Sequence, residues 1–183
     1  MATVSAFLHV SIDGYYATPD GGIDWFKTIR PDAEFEAYTH RASTAGSTLV
    51  MGRVTYEMMK AYWPTSAAKE NDPHMAEVMN RSRKIVYSKT IDASDWENVE
   101  FRREIDRDEI AQLEGSVTML GSGTIIQQFA RLDLMDFYDL VVVPIILGEG
   151  KALFANVPQT EVELREWRGF GNGIVKLRYT PVR

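Results

Sequence analysis

Two glycine-containing turns carry the residue types that bind a phosphate group. In the first, the apolar run Leu49-Val50-Met51 is followed by Gly52 and Arg53. In the second, Val117 to Leu120 is followed by Gly121-Ser122-Gly123. Each segment predicts a strand, a turn and a helix, and the first amides of a helix have no partner within the helix. Because glycine lets a ligand approach the backbone, both turns predict an anion site.

Each turn also has a simpler interpretation. A cation such as Arg53 at a helix start opposes the helix dipole by about 0.3–1 kcal/mol, and a nearby phosphate would reverse that cost. The alternative is a surface arginine paired with Glu57, four residues later. The second turn is not the Rossmann fingerprint, because Ile126 stands where that motif has its third glycine. Its alternative is a tight left-handed turn without a ligand, but two such turns after parallel strands favour a shared ligand.

A third turn, Ser88-Lys89-Thr90, follows the predicted strand 84–87. Open α/β sheets bind ligands beyond the carboxyl ends of their strands, and this turn lies at such an end. Its hydroxyl groups and its lysine suit a ribose 2′-phosphate, which favours NADPH over NADH. The alternative is a polar loop with no ligand.

Composition excludes several other classes. The chain has 183 residues, a formal net charge of −6 and no cysteine. Nucleic-acid binding is disfavoured because phosphate affinity needs a basic face. Disulfides, thiolate metal sites and cysteine nucleophiles are excluded. The histidines His9, His40 and His74 have no ligand spacing, so we expect no metal site.

We expect one cytoplasmic domain over residues 1–183 without a membrane partner. The length is that of a single domain, and no linker divides the chain. The amino terminus lacks the features of a signal peptide. The longest apolar run, Leu140 to Leu147, is strand-length and contains Pro144, whereas a membrane helix needs about 18 residues.

The order of elements predicts an α/β fold with a mostly parallel sheet, helices on both faces and an antiparallel carboxy-terminal hairpin. Asp32, Asp72 and Asp106 are predicted helix N-caps, the last in a capping box with Glu109. We expect no regular element in 11–22, and the polar stretch 64–72 is a candidate for mobility. The predicted strands are 3–10, 48–51, 84–88, 98–101, 117–120, 137–147, 162–167 and 174–179, and the predicted helices are 32–43, 53–61, 73–80, 107–113 and 124–131.

Four segments together resemble the dihydrofolate reductase superfamily. They are Ser11–Ala17, Met51–Glu57, Leu120–Gly123 and Pro144–Phe154, and their order and spacing span nearly the whole chain. The branch they resemble most is the reductase domain of bacterial riboflavin biosynthesis, the RibD C-terminal domain. The resemblance implies a dihydrofolate reductase-like fold, NADPH as cofactor and a small-molecule substrate. It also implies a homodimer, for which the predicted strand 137–147 and the terminal hairpin are candidate interfaces.

The resemblance assigns parts of the cofactor to particular residues. The pyrophosphate would be held by the start of the helix after Gly52, and the adenosine ribose by the third turn. The second turn would wrap the pyrophosphate and the nicotinamide ribose, while the loop 11–17 would flank the nicotinamide and could close over it. The implied cofactor residues are Leu8, His9, Tyr16, Ala17, Gly52, Arg53, Val54, Thr55, Tyr56, Ser88, Lys89, Thr90, Gly121, Ser122, Gly123, Thr124 and Ile125.

The residues of the predicted cleft that would contact the substrate are less well defined. In dihydrofolate reductases a carboxylate on the first helix binds the pterin, and its counterpart lies near Glu36 here. Asp32 and Glu34 remain alternatives, and so does a surface carboxylate without a role. Asp13 and Trp25 are further candidates for substrate contact. The sequence therefore leaves the substrate open.

The activity that the resemblance implies is hydride transfer from NADPH to a C=N or C=O bond. The substrate would be a small heterocycle or a sugar-linked pyrimidine or pteridine, similar to that of 5-amino-6-(5-phosphoribosylamino)uracil reductase. A positioned water or one carboxylate would supply the proton. The alternatives are a dihydrofolate reductase proper and a nucleotide-binding or assembly module of the same fold without turnover.

Overall fold

A central sheet of eight strands organises the protein. The structure is a computed structural model that describes residues 2–43 and 47–183. Two further short strands, β2 and β8, pair with each other outside this sheet. The strands are β1 Thr3–Ser11, β2 Tyr15–Ala17, β3 Thr48–Gly52, β4 Lys84–Tyr87, β5 Val99–Arg102, β6 Ser116–Met119, β7 Phe137–Val143, β8 Lys151–Ala152, β9 Val162–Gly169 and β10 Val175–Pro181.

The strand order separates a parallel part from an antiparallel edge. It runs β5-β4-β3-β6-β1-β7-β10-β9. All neighbours from β5 to β7 are parallel, whereas β10 is antiparallel to both β7 and β9. The predicted mixed sheet is thus confirmed. Parallel strands run in the same direction. The carboxyl ends of β1, β3, β4 and β6 therefore lie at one edge of the sheet.

Within residues 2–43 and 47–183, six α-helices and a 3₁₀ turn, Asp24–Thr28, connect the strands. Three of the caps were predicted: Asp32 accepts a hydrogen bond from the amide of Phe35, Asp72 from that of Met75, and Asp106 from those of Asp108 and Glu109. Glu109 does not complete the capping box, because its carboxylate accepts from Arg102 Nε at 2.6 Å instead. The helices are α1 Ala33–Ala42, α2 Arg53–Tyr62, α3 Ser66–Asn71, α4 Pro73–Arg81, α5 Arg107–Gln112 and α6 Gly123–Arg131.

Alternating strand residues build a core on each face of the sheet. On one face, Val50 and Met119 pack with α5 and α6, where Phe129 is fully buried. On the other face, Met51 packs with Tyr56 of α2 and with α4. Helix α1 covers the same face farther along, beside β7 and β10. Helices therefore lie on both faces, as predicted.

The structure differs from the sequence-based elements in several segments. Strand β7 ends at Val143 and not at 147, because Pro144 has no amide to donate to a ladder in which β7 is an interior strand. The segment 11–22 contains β2, whose partner β8 lies more than 130 residues later. The stretch 64–72 contains α3, which begins after Thr65 caps the amide of Ala68.

The last strand forms an exposed edge. Along β9, Val162, Leu164 and Trp167 are large apolar residues with exposed side chains, and Trp167 is 69% exposed. The backbone of β9 pairs only with β10 in the described part of the chain. The sheet is thus asymmetric, with β5 short at one edge and β9 long at the other.

Candidate functional site

The two glycine turns lie side by side at the carboxyl edge of the sheet. Strands β3 and β6 are parallel neighbours, and Val50 pairs with Met119 in their register. A Cβ atom placed on Gly52 would lie 2.3 Å from Ser122 Oγ, so only glycine lets the turns approach this closely. The Thr55 and Ser122 hydroxyl oxygens are 3.4 Å apart. The structure therefore brings both predicted turns into one site.

The helices that follow these turns begin without a side-chain cap in the described chain. Helix α2 has Gly52 at its N-cap, and α6 has Ser122, whose hydroxyl bonds toward Thr55 and not to the helix amides. Their first amides are the donors that an anion satisfies. The adjacent positions Val54 and Thr124 are exposed, so the start of each helix is open to a ligand.

Arg53 has a partner of its own. Its Nη1 atom donates to both carboxylate oxygens of Glu57, at 3.1 and 3.0 Å, and both side chains are half-exposed. The alternative interpretation of this residue is thus the one observed, and the Arg53 charge does not by itself call for a phosphate. Tyr56 points away from the turns, since it is buried and donates to Ser94 Oγ at 2.7 Å.

The second turn is shaped by its glycines. Gly121 has φ +105°, a left-handed conformation that favours glycine, and a Cβ there would be 3.5 Å from Leu8. A Cβ on Gly123 would lie 2.2 Å from the ring of Tyr16. Ile125 is buried beneath the turn. Leu8 and Tyr16 from the amino-terminal part of the chain therefore meet the second turn.

The loop after β1 is fastened to a distant loop through Asp13. The Asp13 carboxylate accepts hydrogen bonds from Ser11 Oγ at 2.6 Å and from the amides of Leu147 and Gly148 at 3.2 and 2.8 Å. The bond from Ser11, with the two amide bonds, lowers the pKa of Asp13. Asp13 was predicted to contact substrate, and the structure gives it this anchoring position.

Glycine at position 150 lets the two loops touch. A Cβ there would lie 2.4 Å from the carbonyl oxygen of Ala17, and φ is +159°. The pairing of β2 with β8 follows, and Gln127 Nε2 of α6 donates to the carbonyl groups of Ala152 and Leu153 at 3.1 and 3.0 Å. Ala17 is buried in this contact. The loop that carries Tyr16 is thus held against the start of α6.

The third turn lies one strand farther along the same edge. The buried Ser88 hydroxyl accepts from the amides of Thr90 and Ile91, at 3.2 and 2.9 Å, so it stabilises the turn. Lys89 and Thr90 are exposed. Arg103, which follows β5, donates to the Ser88 carbonyl at 3.1 Å. Sequence reasoning missed Arg103, although its place just after an edge strand beside β4 was an available signal.

An aromatic cluster adjoins the end of β1. The His9 ring stacks on Phe26 with centroids 4.5 Å apart, and the edges of Phe7 and Phe35 approach it. Burial lowers the pKa of His9 to about 4. Trp25, edge-on to Phe26, has a buried indole N–H without a hydrogen-bond partner among the described residues. His9 and Trp25 are thus joined through Phe26.

The carboxylates of α1 do not point into this cluster. Asp32 caps the helix, and Glu34 accepts from Arg168 at 2.6 Å. Glu36 is exposed, while Phe35 between them packs inward beside His9. The structure therefore does not bring Glu36 together with the predicted cofactor residues.

A cavity of about 330 Å³ opens between α1 and α4 on the same face of the sheet. Phe7 and Leu120 line the end nearest the glycine turns, and Leu120 directly precedes Gly121. Thr3 and Ser116 line the opposite end. We refer to this space as the α1–α4 cavity. It extends from the glycine turns across the sheet.

Two further properties concern metals and membranes. In residues 2–43 and 47–183, no three histidine, aspartate or glutamate side chains are grouped closely enough to hold a metal ion. No described helix is long and apolar enough to cross a bilayer.

With this geometry established, sequence comparison identifies the family. Residues 2–176 match the RibD C-terminal domain. The chain belongs to that family. Two uncharacterized proteins of Bacillus subtilis (strain 168) are similar to it. YyaP is 25% identical over 177 residues, which cover 94% of this chain and 91% of YyaP. YwjB is 26% identical over 178 residues, 94% of each chain.

Solved structures confirm the dihydrofolate reductase-like fold. A Shewanella sp. PV-4 protein named for riboflavin biosynthesis is 25% identical, with a TM-score of 0.74 over 100% of both chains. A pyrimidine reductase-like protein from Corynebacterium diphtheriae is 16% identical, with a TM-score of 0.65 over 100% of this chain and 92% of that one. Dihydrofolate reductase from Enterococcus faecalis, complexed with NADP(H) and RAB-propyl, is 16% identical, with a TM-score of 0.67 over 99% of this chain and 97% of that one.

Proposed function

We propose that this protein is an NADPH-dependent reductase of a small heterocyclic or sugar-linked pyrimidine or pteridine substrate. The observation that carries the proposal is the pair of adjacent helix starts, α2 and α6, that have no side-chain cap in the described chain. Two such starts that meet at Gly52 and Ser122 present amides from two directions to one anion. A pyrophosphate has the size and charge to use both.

The rest of the cofactor would follow the edge of the sheet. NADPH, when bound, would supply the hydride. The amides at Gly121 to Gly123 would hold its pyrophosphate, and Tyr16 would move off or along Gly123 to admit it. Leu8 and His9 at the end of β1 would border the nicotinamide. Holding donor and acceptor at a fixed distance, with water excluded, is how such a site accelerates hydride transfer.

The preference for NADPH over NADH would come from the third turn. Lys89 is exposed there, and Arg103 is half-exposed and held beside it by its bond to the Ser88 carbonyl. Two cations at one carboxyl end of the sheet suit a ribose 2′-phosphate. Arg53 is a weaker candidate, because its Nη1 atom donates to both carboxylate oxygens of Glu57 at 3.1 and 3.0 Å. The Arg103 guanidinium also has an acidic neighbour, Asp92, but that pair is longer, at 3.6 Å.

The proton would come from a water and not from a carboxylate of α1. Glu36 faces solvent, whereas His9 lies in the aromatic cluster with ring nitrogens that bond to no described residue. Because burial lowers the pKa of His9 to about 4, its imidazole is neutral at pH 7 and can orient a water. His9 is then a positioning residue.

Cofactor titration tests the proposal. We expect calorimetry to give at least a tenfold lower Kd for NADPH than for NADH. The double variant Lys89→Ala/Arg103→Ala should remove that preference while leaving NADH affinity unchanged. Arg165→Ala, a remote exposed cation paired with Glu163 on β9, serves as the matched control. The absence of NADPH binding at millimolar concentration would refute the proposal.

The second candidate function is a nucleotide-binding module without turnover. The observation that favours it is the outward position of Asp32, Glu34 and Glu36, which leaves the site without a carboxylate from α1. Absorbance at 340 nm, followed with NADPH and a panel of aminopyrimidines, pteridines and aldehydes, separates the two. Tight NADPH binding without oxidation by any member would favour the module.

A further inference from the structure

The floor of the α1–α4 cavity is polar in an unusual place. Thr3 and Ser5 of β1 lie opposite Ser116 and Thr118 of β6 in the parallel register. Thr3 and Ser116 are exposed at the open end of the cavity, whereas Ser5 and Thr118 are half-buried. A sheet face under a helix is ordinarily apolar at such half-buried positions, because an unpaired hydroxyl in the interior is costly. Among the described residues, these four side chains make one recorded bond, a long one of 3.5 Å from Ser5 Oγ to the Val117 carbonyl.

The walls of the cavity are apolar and adaptable. Helix α4 contributes Met75, Val78 and Met79, and α1 contributes Tyr38 and Ala42. Methionine side chains adjust to irregular shapes. A ligand here would therefore present hydroxyl groups to the floor and carbon surface to the walls.

The charges at one end of the cavity cancel. Arg178 is the cation among the described lining residues, and it donates to both oxygens of the buried Asp139, at 2.7 and 2.8 Å. Lys176 is fully buried and lies 3.0 Å from Asp139 and 3.1 Å from Glu166. Two cations thus face two carboxylates. A phosphate entering the cavity would meet Asp139 without gaining an unpaired cation.

The cavity is placed to serve the reacting centre. Along one face of β1, Phe7 lines the cavity and His9 follows two residues later at the carboxyl edge. On β6, Leu120 lines the cavity and Gly121 begins the second turn. A substrate whose ring lies beside the turns would extend its substituent into the α1–α4 cavity.

From these observations we infer that the cavity binds an uncharged, hydroxyl-bearing substituent of the substrate, such as a sugar or polyol without a phosphate. The inference rests on the proposed reductase function and narrows its substrate class. It separates this chain from an enzyme that needs a phosphorylated ribosylaminopyrimidine. The floor hydroxyls supply hydrogen bonds to the polyol, and the closed ion network withholds a phosphate site.

A matched pair of probes tests the inference. The full-length protein is assayed by NADPH oxidation with an aminopyrimidine riboside and with its 5′-phosphate. We expect kcat/KM for the riboside to be at least tenfold higher. Binding of both compounds is measured in parallel by calorimetry, with and without NADP⁺, so that the comparison does not depend on turnover.

A variant pair locates the effect in the cavity. Thr118→Val keeps the shape of the side chain and removes its hydroxyl, so the riboside KM, or its Kd where turnover is absent, should rise about tenfold. The kcat and the NADPH Kd should not change. Thr160→Val, at an exposed threonine in the segment before β9, is the control.

The outcomes separate this inference from the proposed function. A protein that fails to bind NADPH but binds the riboside more tightly than its phosphate, through Thr118, refutes the reductase and supports the cavity assignment. Equal or tighter binding of the phosphorylated compound, binding of neither compound, or a Thr118→Val variant that behaves like wild type overturns the inference. NADPH affinity is then measured independently.

Discussion

The helices of this protein fall into two groups that differ at their first residue. Helices α1, α3, α4 and α5 begin at Asp32, Thr65, Asp72 and Asp106, and each of these side chains accepts a bond from the helix backbone. Helices α2 and α6 begin at Gly52 and Ser122 without such a bond in the described chain. The uncapped pair is also the pair whose starts touch. Capping thus distinguishes helices whose first amides are bonded by a side chain from helices whose first amides are open, as the proposed cofactor site requires.

The largest expected effect is a loss of NADPH affinity when the start of an uncapped helix is obstructed. In Gly123→Ala, the new Cβ would overlap the Tyr16 ring at 2.2 Å and intrude where an anion approaches the α6 amides. We expect NADPH affinity to fall about 100-fold, or about 2.7 kcal/mol, as measured by calorimetry.

Gly169→Ala is the matched control for that variant. No atom lies within 4 Å of the position a Cβ would take there, so its affinity should equal that of wild type. A Gly123→Ala protein with normal NADPH affinity would remove the uncapped helices from the cofactor site.

A second expected effect is a pH dependence of the free energy of unfolding that comes from His9. His9 is half-buried on β1, and its pKa falls from 6.5 to about 4 in the folded state. As pH falls, the His9 imidazole is protonated in the unfolded chain before it is protonated in the folded one. The folded state therefore loses free energy of stabilisation between about pH 6.5 and pH 4. The loss is about 2 kcal/mol after allowance for the partial exposure of the ring.

Urea unfolding of wild type and His9→Gln across that pH range measures the difference. The wild-type free energy of unfolding should fall more steeply than that of the variant. Parallel pH profiles would show that His9 keeps an ordinary pKa.

A third effect compares the loss of the N-cap side chain in one capped helix with its loss in one uncapped helix. Asp106→Ala removes a cap from α5 and should lower the free energy of unfolding by about 1 kcal/mol, without changing NADPH affinity. Ser122→Ala removes no cap and should cost less than about 0.5 kcal/mol. Chemical denaturation measures both. If Ser122→Ala were the more destabilising variant, the distinction between capped and uncapped helices would fail.

The features that the sequence predicted are those set by neighbouring residues. Asp32, Asp72 and Asp106 were recognised as caps because a cap acts on amides two or three residues ahead. The turn glycines and strand alternation are equally local. Fold and family were accessible for the same reason, since several local motifs occur in a fixed order.

The features that the sequence did not predict depend on strand register and on contacts between residues far apart in the chain. Asp13 reaches the amides of Leu147 and Gly148 across more than 130 residues, and nothing beside Asp13 in sequence indicates them. The hydroxyl floor of the α1–α4 cavity requires knowing that Thr3 lies opposite Ser116. Arg53 shows the reverse case: the local partner Glu57 was visible, and it is the partner observed.

The smallest expected effect on stability concerns the sheet edge far from both helix groups. Homodimerisation stays a prediction, and since β7 lies inside the sheet, β9 with its exposed Trp167 is the remaining candidate interface. Trp167→Glu should change the free energy of unfolding of the monomer by less than about 0.5 kcal/mol, yet convert a dimer to a monomer in light scattering. A wild-type mass near 20.7 kDa would exclude the dimer.

The position of β1 has a consequence for synthesis. It is the first strand of the chain, yet its sheet neighbours are β6 and β7, which begin at Ser116 and Phe137. At translation rates of about 5–20 residues per second, the nascent β1 waits roughly 6–25 s for both neighbours. During that interval its apolar residues and open backbone are exposed to other chains. The yield of folded protein in the cell is therefore expected to depend on chaperones that occupy β1 before residue 143 emerges.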